Sequence, residues 1–212
     1  MEYNFIAIEG NIGAGKTSLS TRLAQEMGAR LVLEEFENNP FLPAFYAEPE
    51  RFAFQVELNF LAQRYHQLKN RLINYDLFSQ TTLSDYFIQK SWVFAQVTLK
   101  EDELELYRTL FEIIAASLPK PDLLVYLYND YDQLKVNIQK RGRAYEQGIQ
   151  VVYLERLQRQ YLSYLKTQPH LRCLVLDTQG LDFVNREEDY HWVKDRILET
   201  YPLGLTHISM QK

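Results

Sequence analysis

The chain has one cysteine, Cys173, which excludes an internal disulfide and a cysteine-based zinc site. It sits in the apolar run RCLVL, where the expected role is a small buried hydrophobe rather than a nucleophile. No stretch approaches the ~20 apolar residues of a membrane span. The N-terminus carries Glu2 and only a short apolar run, which is not the pattern of a secretory signal. The expectation is a soluble cytoplasmic protein with no membrane partner. No charge predominates either: 23 Lys and Arg face 28 Asp and Glu, a net charge of −5. Such a balance does not suit a protein that coats nucleic acid by bulk electrostatics, although it leaves room for a local basic pocket. Repeats, low-complexity tracts and Gly/Ser linkers are absent. With 212 residues and 46% apolar content, one domain over 1–212 with one sizeable core is expected.

Glycine is also scarce. Of 8 in the chain, three fall in EGNIGAGKTS at residues 9–18. Around that cluster the pattern alternates. Apolar runs at 3–9, 29–35, 80–86, 122–128 and 172–177 read as strands. Helical stretches are expected over 15–27, 50–74, 101–118, 131–140, 150–167 and 187–200. Strands separated by helices imply an α/β fold: a parallel sheet of about five strands in three layers, with helices on both faces.

The glycine cluster satisfies G-x-x-x-x-G-K-[ST] between a strand and a helix, the context that motif needs. Glycines let the backbone curl with its N–H groups inward, and the helix N-terminus adds partial positive charge. Gly10, Asn11, Ile12, Gly13, Ala14, Gly15, Lys16, Thr17 and Ser18 are therefore expected to cradle a nucleoside triphosphate. Lys16 would reach the outer phosphates, and the Thr17 hydroxyl would take Mg²⁺. GTPase, ATPase and kinase remain open at this point, and an acceptor site must decide between them. QKRGRAYEQGI (139–149) offers Arg141 and Arg143, two cations flanking a glycine that can swing over a transferring phosphoryl group.

EGNIGAGKTSL, LEEFENNPFL, AEPERFAFQVELNFLAQRY and QKRGRAYEQGIQVVYLERLQRQYLSYL together resemble the deoxynucleoside kinase family, most of all its bacterial deoxyguanosine kinase branch. The likeness runs from about residue 5 to about residue 200. It implies a P-loop NTPase-type fold, ATP as donor, Mg²⁺, a deoxynucleoside as acceptor, and a homodimer. Glu34, or Glu35 one position on, matches the carboxylate that takes the proton of the sugar 5′-hydroxyl. Lys16, Arg141 and Arg143 match the groups that act on the moving phosphoryl group, with 139–149 as a lid. Asp85 matches an acidic residue that holds Mg²⁺ through water or helps hold Lys16. The Arg-Ser pair that follows it in the family is Tyr86-Phe87 here, and Tyr86 takes the place beside the substrate. A lid arginine of some relatives is Asn137 here. Tyr46 and Glu146 match the pair that grips the sugar 3′-hydroxyl. The loop DTQGLDF, with Asp177, Gly180, Asp182 and Phe183, resembles the segment that wraps the donor base.

Glu57 and Arg64 lie seven residues apart, two turns along one helix face. Glu57 falls where many relatives have Gln. Guanine presents two N–H donors side by side, which an acceptor-only carboxylate can take together, whereas adenine suits an amide. Arg64 would then donate to guanine O6 or N7, or neutralise Glu57 in the empty site. Deoxyguanosine is favoured over deoxyadenosine. Phe36, Phe54, Phe87 and Trp92 are candidates to shape the base slot, with a core role the more ordinary assignment. A nucleoside monophosphate kinase would need extra cations at the acceptor, where this chain has LEEFE. A GTPase would carry N-K-x-D, which is absent.

Overall fold

Short apolar runs closed by glycine, proline or polar residues become the strands Phe5–Gly10 (β1), Arg30–Val32 (β2), Thr82–Ser84 (β3), Leu123–Tyr128 (β4), Arg172–Asp177 (β5) and Gly204–Ser209 (β6). The computed structural model describes residues 3–35, 39–73 and 81–210. The strands form one sheet in the order β2-β3-β1-β4-β5-β6, and every neighbouring pair is parallel. The described residues supply six strands where about five were expected. β6 escapes a hydrophobic scan because it is an edge strand whose residues alternate between half-buried and exposed. Backbone pairing to β5, from Gly204 opposite Arg172 to Ser209 opposite Asp177, holds it in place.

The helices are Lys16–Met27 (α1), Leu42–Ala47 (α2), Pro49–Leu68 (α3), Gln89–Thr98 (α4), Glu101–Ala115 (α5), Tyr131–Arg141 (α6), Val151–Lys166 (α7) and Glu187–Leu198 (α8). α2 and α4 were not expected from periodicity. The helix expected over 50–74 ends at Leu68 and runs on as a π-helical turn, Lys69–Ile73. The helix expected over 101–118 ends at Ala115, ahead of Pro119.

Strand alternation divides the core. Ile6 and Ile8 of β1 pack on one face of the sheet with Leu19 and Leu23 of α1 and Val193 and Ile197 of α8. Phe5 and Ala7 pack on the other with Leu61 of α3, Val93 of α4 and Tyr107 of α5. Helices thus cover both faces, as a parallel sheet requires. Cys173 is buried in β5, and burial pushes its thiol up to about 12, so it packs as an apolar residue and is inert. No described helix is long and apolar enough to cross a membrane. The carboxyl ends of β1, β2, β3 and β4 deliver Gly10, Glu34, Asp85 and Asn129 to one edge, where a crevice of this fold opens.

Candidate active site

A cleft of about 700 Å³ lies along that edge. The glycine loop forms one end. Gly13 and Gly15 take φ of +83° and +85°, a left-handed backbone that only glycine adopts easily. A Cβ on Gly15 would stand 2.7 Å from the Phe183 ring, so the loop after β5 packs directly on the glycine loop. Gly15→Ala combines strain of roughly 1–2 kcal/mol with that clash, and should lower Tm by about 2–8 °C. Gly28→Ala is the control. It has positive φ but nothing within 4 Å, and should cost the strain alone in a thermal melt.

Lys16 Nζ donates to the carbonyls of Gly10 and Asn11, each at 2.9 Å. Burial, and then repulsion from Lys90, bring its pKa down to about 8. The Asn11 amide donates to Leu154 O at 2.8 Å and lies outside the cleft. Asn137, at the position of the missing lid arginine, donates to Gly13 O at 2.8 Å and so ties α6 to the glycine loop.

The centre of the cleft is a cluster of opposite charges. Glu34 Oε1 accepts from Arg64 Nε at 2.7 Å, with Arg64 Nη2 also 2.7 Å away as an ion pair, and Glu34 Oε2 accepts from Lys90 Nζ. Burial by itself would raise the Glu34 carboxyl, but Lys90 and Arg64 override it and hold the group at about 2. Glu35 is exposed and accepts from Gln67 at 3.2 Å, so it is Glu34 that lines the cleft. Arg64 also donates to Ser91 Oγ at 2.8 Å. Of the two roles open to Arg64, neutralising Glu57 in the empty site is not the one seen: Arg64 is taken by a carboxylate thirty residues away, a pairing no helical spacing reveals. Sequence reasoning missed Lys90 altogether. A lysine on an amphipathic stretch ordinarily faces water, but this one is 7% exposed. Asp85 accepts from Thr17 Oγ1 at 2.6 Å and from the Glu34 backbone N–H at 2.8 Å. It therefore meets Thr17 rather than Lys16.

At the far end Glu57 is 2% exposed, and burial pushes its carboxyl up to about 7 against the pull of Arg64. Tyr46 stacks on Tyr145 with ring centroids 5.8 Å apart. Both lid arginines turn inward: Arg141 and Arg143 donate to the two oxygens of buried Glu146, Arg143 at 3.2 Å. Gly142, with φ +73°, makes the turn between them.

The cleft gathers Ile12 to Ser18, Glu34, Tyr46, Glu57, Arg64, Asp85, Arg141, Arg143, Glu146, Gly180, Asp182 and Phe183 from across the chain. Four proposed site residues lie outside its lining. Gly10 and Asn11 form the base of the loop. Asp177 accepts from Gln179 N at 3.0 Å, and Tyr86 is buried with its hydroxyl on Gln67. Phe87 and Phe5 pack edge to face, and Trp92 stacks on Phe111, so both belong to the core, as does Phe54. Besides Tyr46 and Phe183, the rings that line the cleft are Phe45, Phe60, Phe94 and Tyr153. Phe36 lies outside the described residues. The hard oxygens of Thr17 and Asp85 suit a small divalent cation. Among the described residues no group of three or more His, Cys, Asp or Glu can hold a metal, so such an ion would rest mainly on phosphate oxygens.

The family model for deoxynucleoside kinase matches residues 6–201. Two proteins of Bacillus subtilis (strain 168) are similar over most of their length. One is a deoxyguanosine kinase, 37% identical over 199 residues, with 92% of this chain and 96% of that protein covered. The other is a deoxyadenosine/deoxycytidine kinase, 29% identical over 201 residues, with 92% and 91% covered. Among solved structures, a deoxyadenosine kinase from M. mycoides with bound dATP superposes with a TM-score of 0.78 at 22% identity. It covers 92% of this chain and 99% of that one, a likeness of fold.

Proposed function

This chain belongs to the deoxynucleoside kinase family and is a phosphotransferase, and on that premise we propose that it moves the γ-phosphoryl group of ATP to the 5′-hydroxyl of a purine deoxynucleoside, deoxyguanosine ahead of deoxyadenosine. The observation that carries the choice of base is Glu57. Its Oε2 is buried without a hydrogen-bond partner, and the residue lines the cleft. The two adjacent N–H donors of guanine would satisfy it, whereas adenine would leave it partly unmet, at about 1–3 kcal/mol.

In this reading the inward N–H groups of the glycine loop and Lys16 hold the triphosphate. Thr17 and Asp85 would hold Mg²⁺, which when bound would supply positive charge beside the triphosphate. Glu34 accepts the hydroxyl proton. A carboxylate held near 2 is a weak base, but in a loose transition state the hydroxyl keeps its proton until the new bond to phosphorus is largely formed. Orientation then matters more than basicity, and the clamp of Arg64 and Lys90 supplies it. Arg141 and Arg143 leave Glu146 to close on the moving phosphoryl group, and Glu146 with Tyr46 takes the 3′-hydroxyl. A homodimer is part of the same reading. α5 leaves Leu106 and Ile113 54% and 69% exposed on one face, apolar surface that a second copy would cover.

A panel of the four deoxynucleosides plus adenosine and guanosine, with ATP and Mg²⁺, tests the reading. Deoxyguanosine should give the highest kcat/KM. Glu57→Gln should move selectivity towards deoxyadenosine by about 10–100-fold, the equivalent of one or two hydrogen-bond mismatches. A tenfold preference of the unaltered enzyme for deoxyadenosine would refute the choice of base.

A further inference from the structure

Glu57 Oε1 lies 3.0 Å from Thr98 Oγ1, and the same hydroxyl oxygen lies 3.0 Å from Phe94 O. A hydroxyl carries one proton and a carbonyl carries none. Thr98 therefore donates fully to one of the two oxygens and not to both. Both contacts are full hydrogen bonds together only when Glu57 brings a proton of its own, donating to Thr98 while Thr98 donates to Phe94.

We propose that the Glu57 carboxyl is protonated in the empty site and that its protonation state selects the base. The anion, an acceptor on both oxygens, takes N1–H and the 2-amino group of guanine. The neutral acid is a donor on one oxygen and an acceptor on the other, and once its proton turns from Thr98 to the base it takes a ring nitrogen beside an amino group, as in adenine or cytosine. Guanine binding then releases one proton from Glu57 to solvent. This rests on the deoxynucleoside kinase reading and deepens it.

The surroundings favour such a switch. Arg64 on α3 and Lys90 on α4 face Glu57, but both are committed to Glu34, whose negative charge opposes ionisation of Glu57. Tyr46 of α2, Tyr107 of α5 and Tyr153 of α7 also face it, and burial holds all three phenols above their ordinary range. Beyond them Arg156 of α7 donates to Val97 O at 2.7 Å, and Glu146 of the lid holds Arg141 and Arg143. Burial first, and then Glu34, raise the Glu57 carboxyl to about 7, with Arg64, Thr98 and Lys90 pulling it down. A raised carboxyl ionises as pH climbs through that value, so guanine should gain on adenine with rising pH.

The test is kcat/KM for deoxyguanosine and for deoxyadenosine between about pH 5.5 and about pH 8.5. Taking their ratio cancels the titration of the shared phosphoryl-transfer machinery. The deoxyguanosine-to-deoxyadenosine ratio should rise by up to about tenfold per pH unit. Glu57→Gln should give a low ratio independent of pH. A flat ratio in an enzyme that phosphorylates deoxyguanosine overturns the proton switch and leaves the kinase reading standing. A slope that survives Glu57→Gln overturns it as well, by placing the titration elsewhere. Absence of deoxyguanosine phosphorylation at every pH would instead overturn the choice of base.

Discussion

Glu34→Gln should lower kcat by about 10²–10⁴-fold, the range for losing a positioned proton acceptor. The same change should also be felt in stability, because Glu34 is the shared counter-ion of two buried cations, Arg64 and Lys90. The glutamine amide would point a donor at one of them. Breaking a buried pair from one side costs about 3–5 kcal/mol, which in a chain of this size lowers Tm by roughly 6–20 °C. Glu34→Asp separates the two effects. It keeps the charge that Arg64 and Lys90 require but draws the carboxylate back by one methylene. Tm should stay within a few degrees of the unaltered protein while kcat still falls at least about tenfold. Assays run below both melting temperatures, with circular dichroism alongside, check this. An aspartate variant with full activity would remove Glu34 from the chemistry.

Lys16→Met should be almost as severe in rate, with the opposite sign in stability. The loss of a preorganised cation at the phosphates predicts a fall of about 10²–10³-fold in kcat. In the empty protein, however, that ammonium is an unfavourable charge, desolvated and repelled by Lys90, which is why its pKa is brought down to about 8. A folded-state lysine pKa below the unfolded value means that the charged form destabilises the fold at neutral pH. A methionine of similar length removes that charge, so Tm should hold or rise by a few degrees. A marked drop in Tm for Lys16→Met would mean that its bonds to the Gly10 and Asn11 carbonyls outweigh the burial of its charge. The two substitutions divide the cleft into a part that stabilises the fold, around Glu34, and a part that strains it, around Lys16, as functional sites commonly do.

Local signals were legible from the sequence. The glycine loop, β1, β4 and β5 declare themselves through composition and immediate neighbours, and so does the lid turn at Gly142. What stayed hidden depends on partners far away in the chain. α4 packs against α3, α5 and α7, so its buried residues Lys90, Ser91, Val93, Ala95 and Val97 fall on no single stripe, and a search for 3.6-residue periodicity passes over it. β6 is short and polar on alternate positions, and becomes a strand only because β5 offers an edge. Glu57 and Arg64 share one helix face and both line the cleft, but the ionic partner of Arg64 comes from just beyond the end of β2. Lys90 could have been suspected from its position five residues after Asp85, on a segment otherwise rich in apolar residues; nothing in the spacing names Glu34 as its partner.

The inward turn of the lid has a consequence for the idle enzyme. Arg141 and Arg143 share Glu146, and on the proposed reading that carboxylate is released only when a sugar hydroxyl competes for it. A donor waiting in a vacant site is then attended by neither guanidinium, and a stray water meets a phosphoryl group whose charge still repels attack. On that reading the latch would guard against wasteful hydrolysis, and would couple readiness to react to the arrival of the right alcohol.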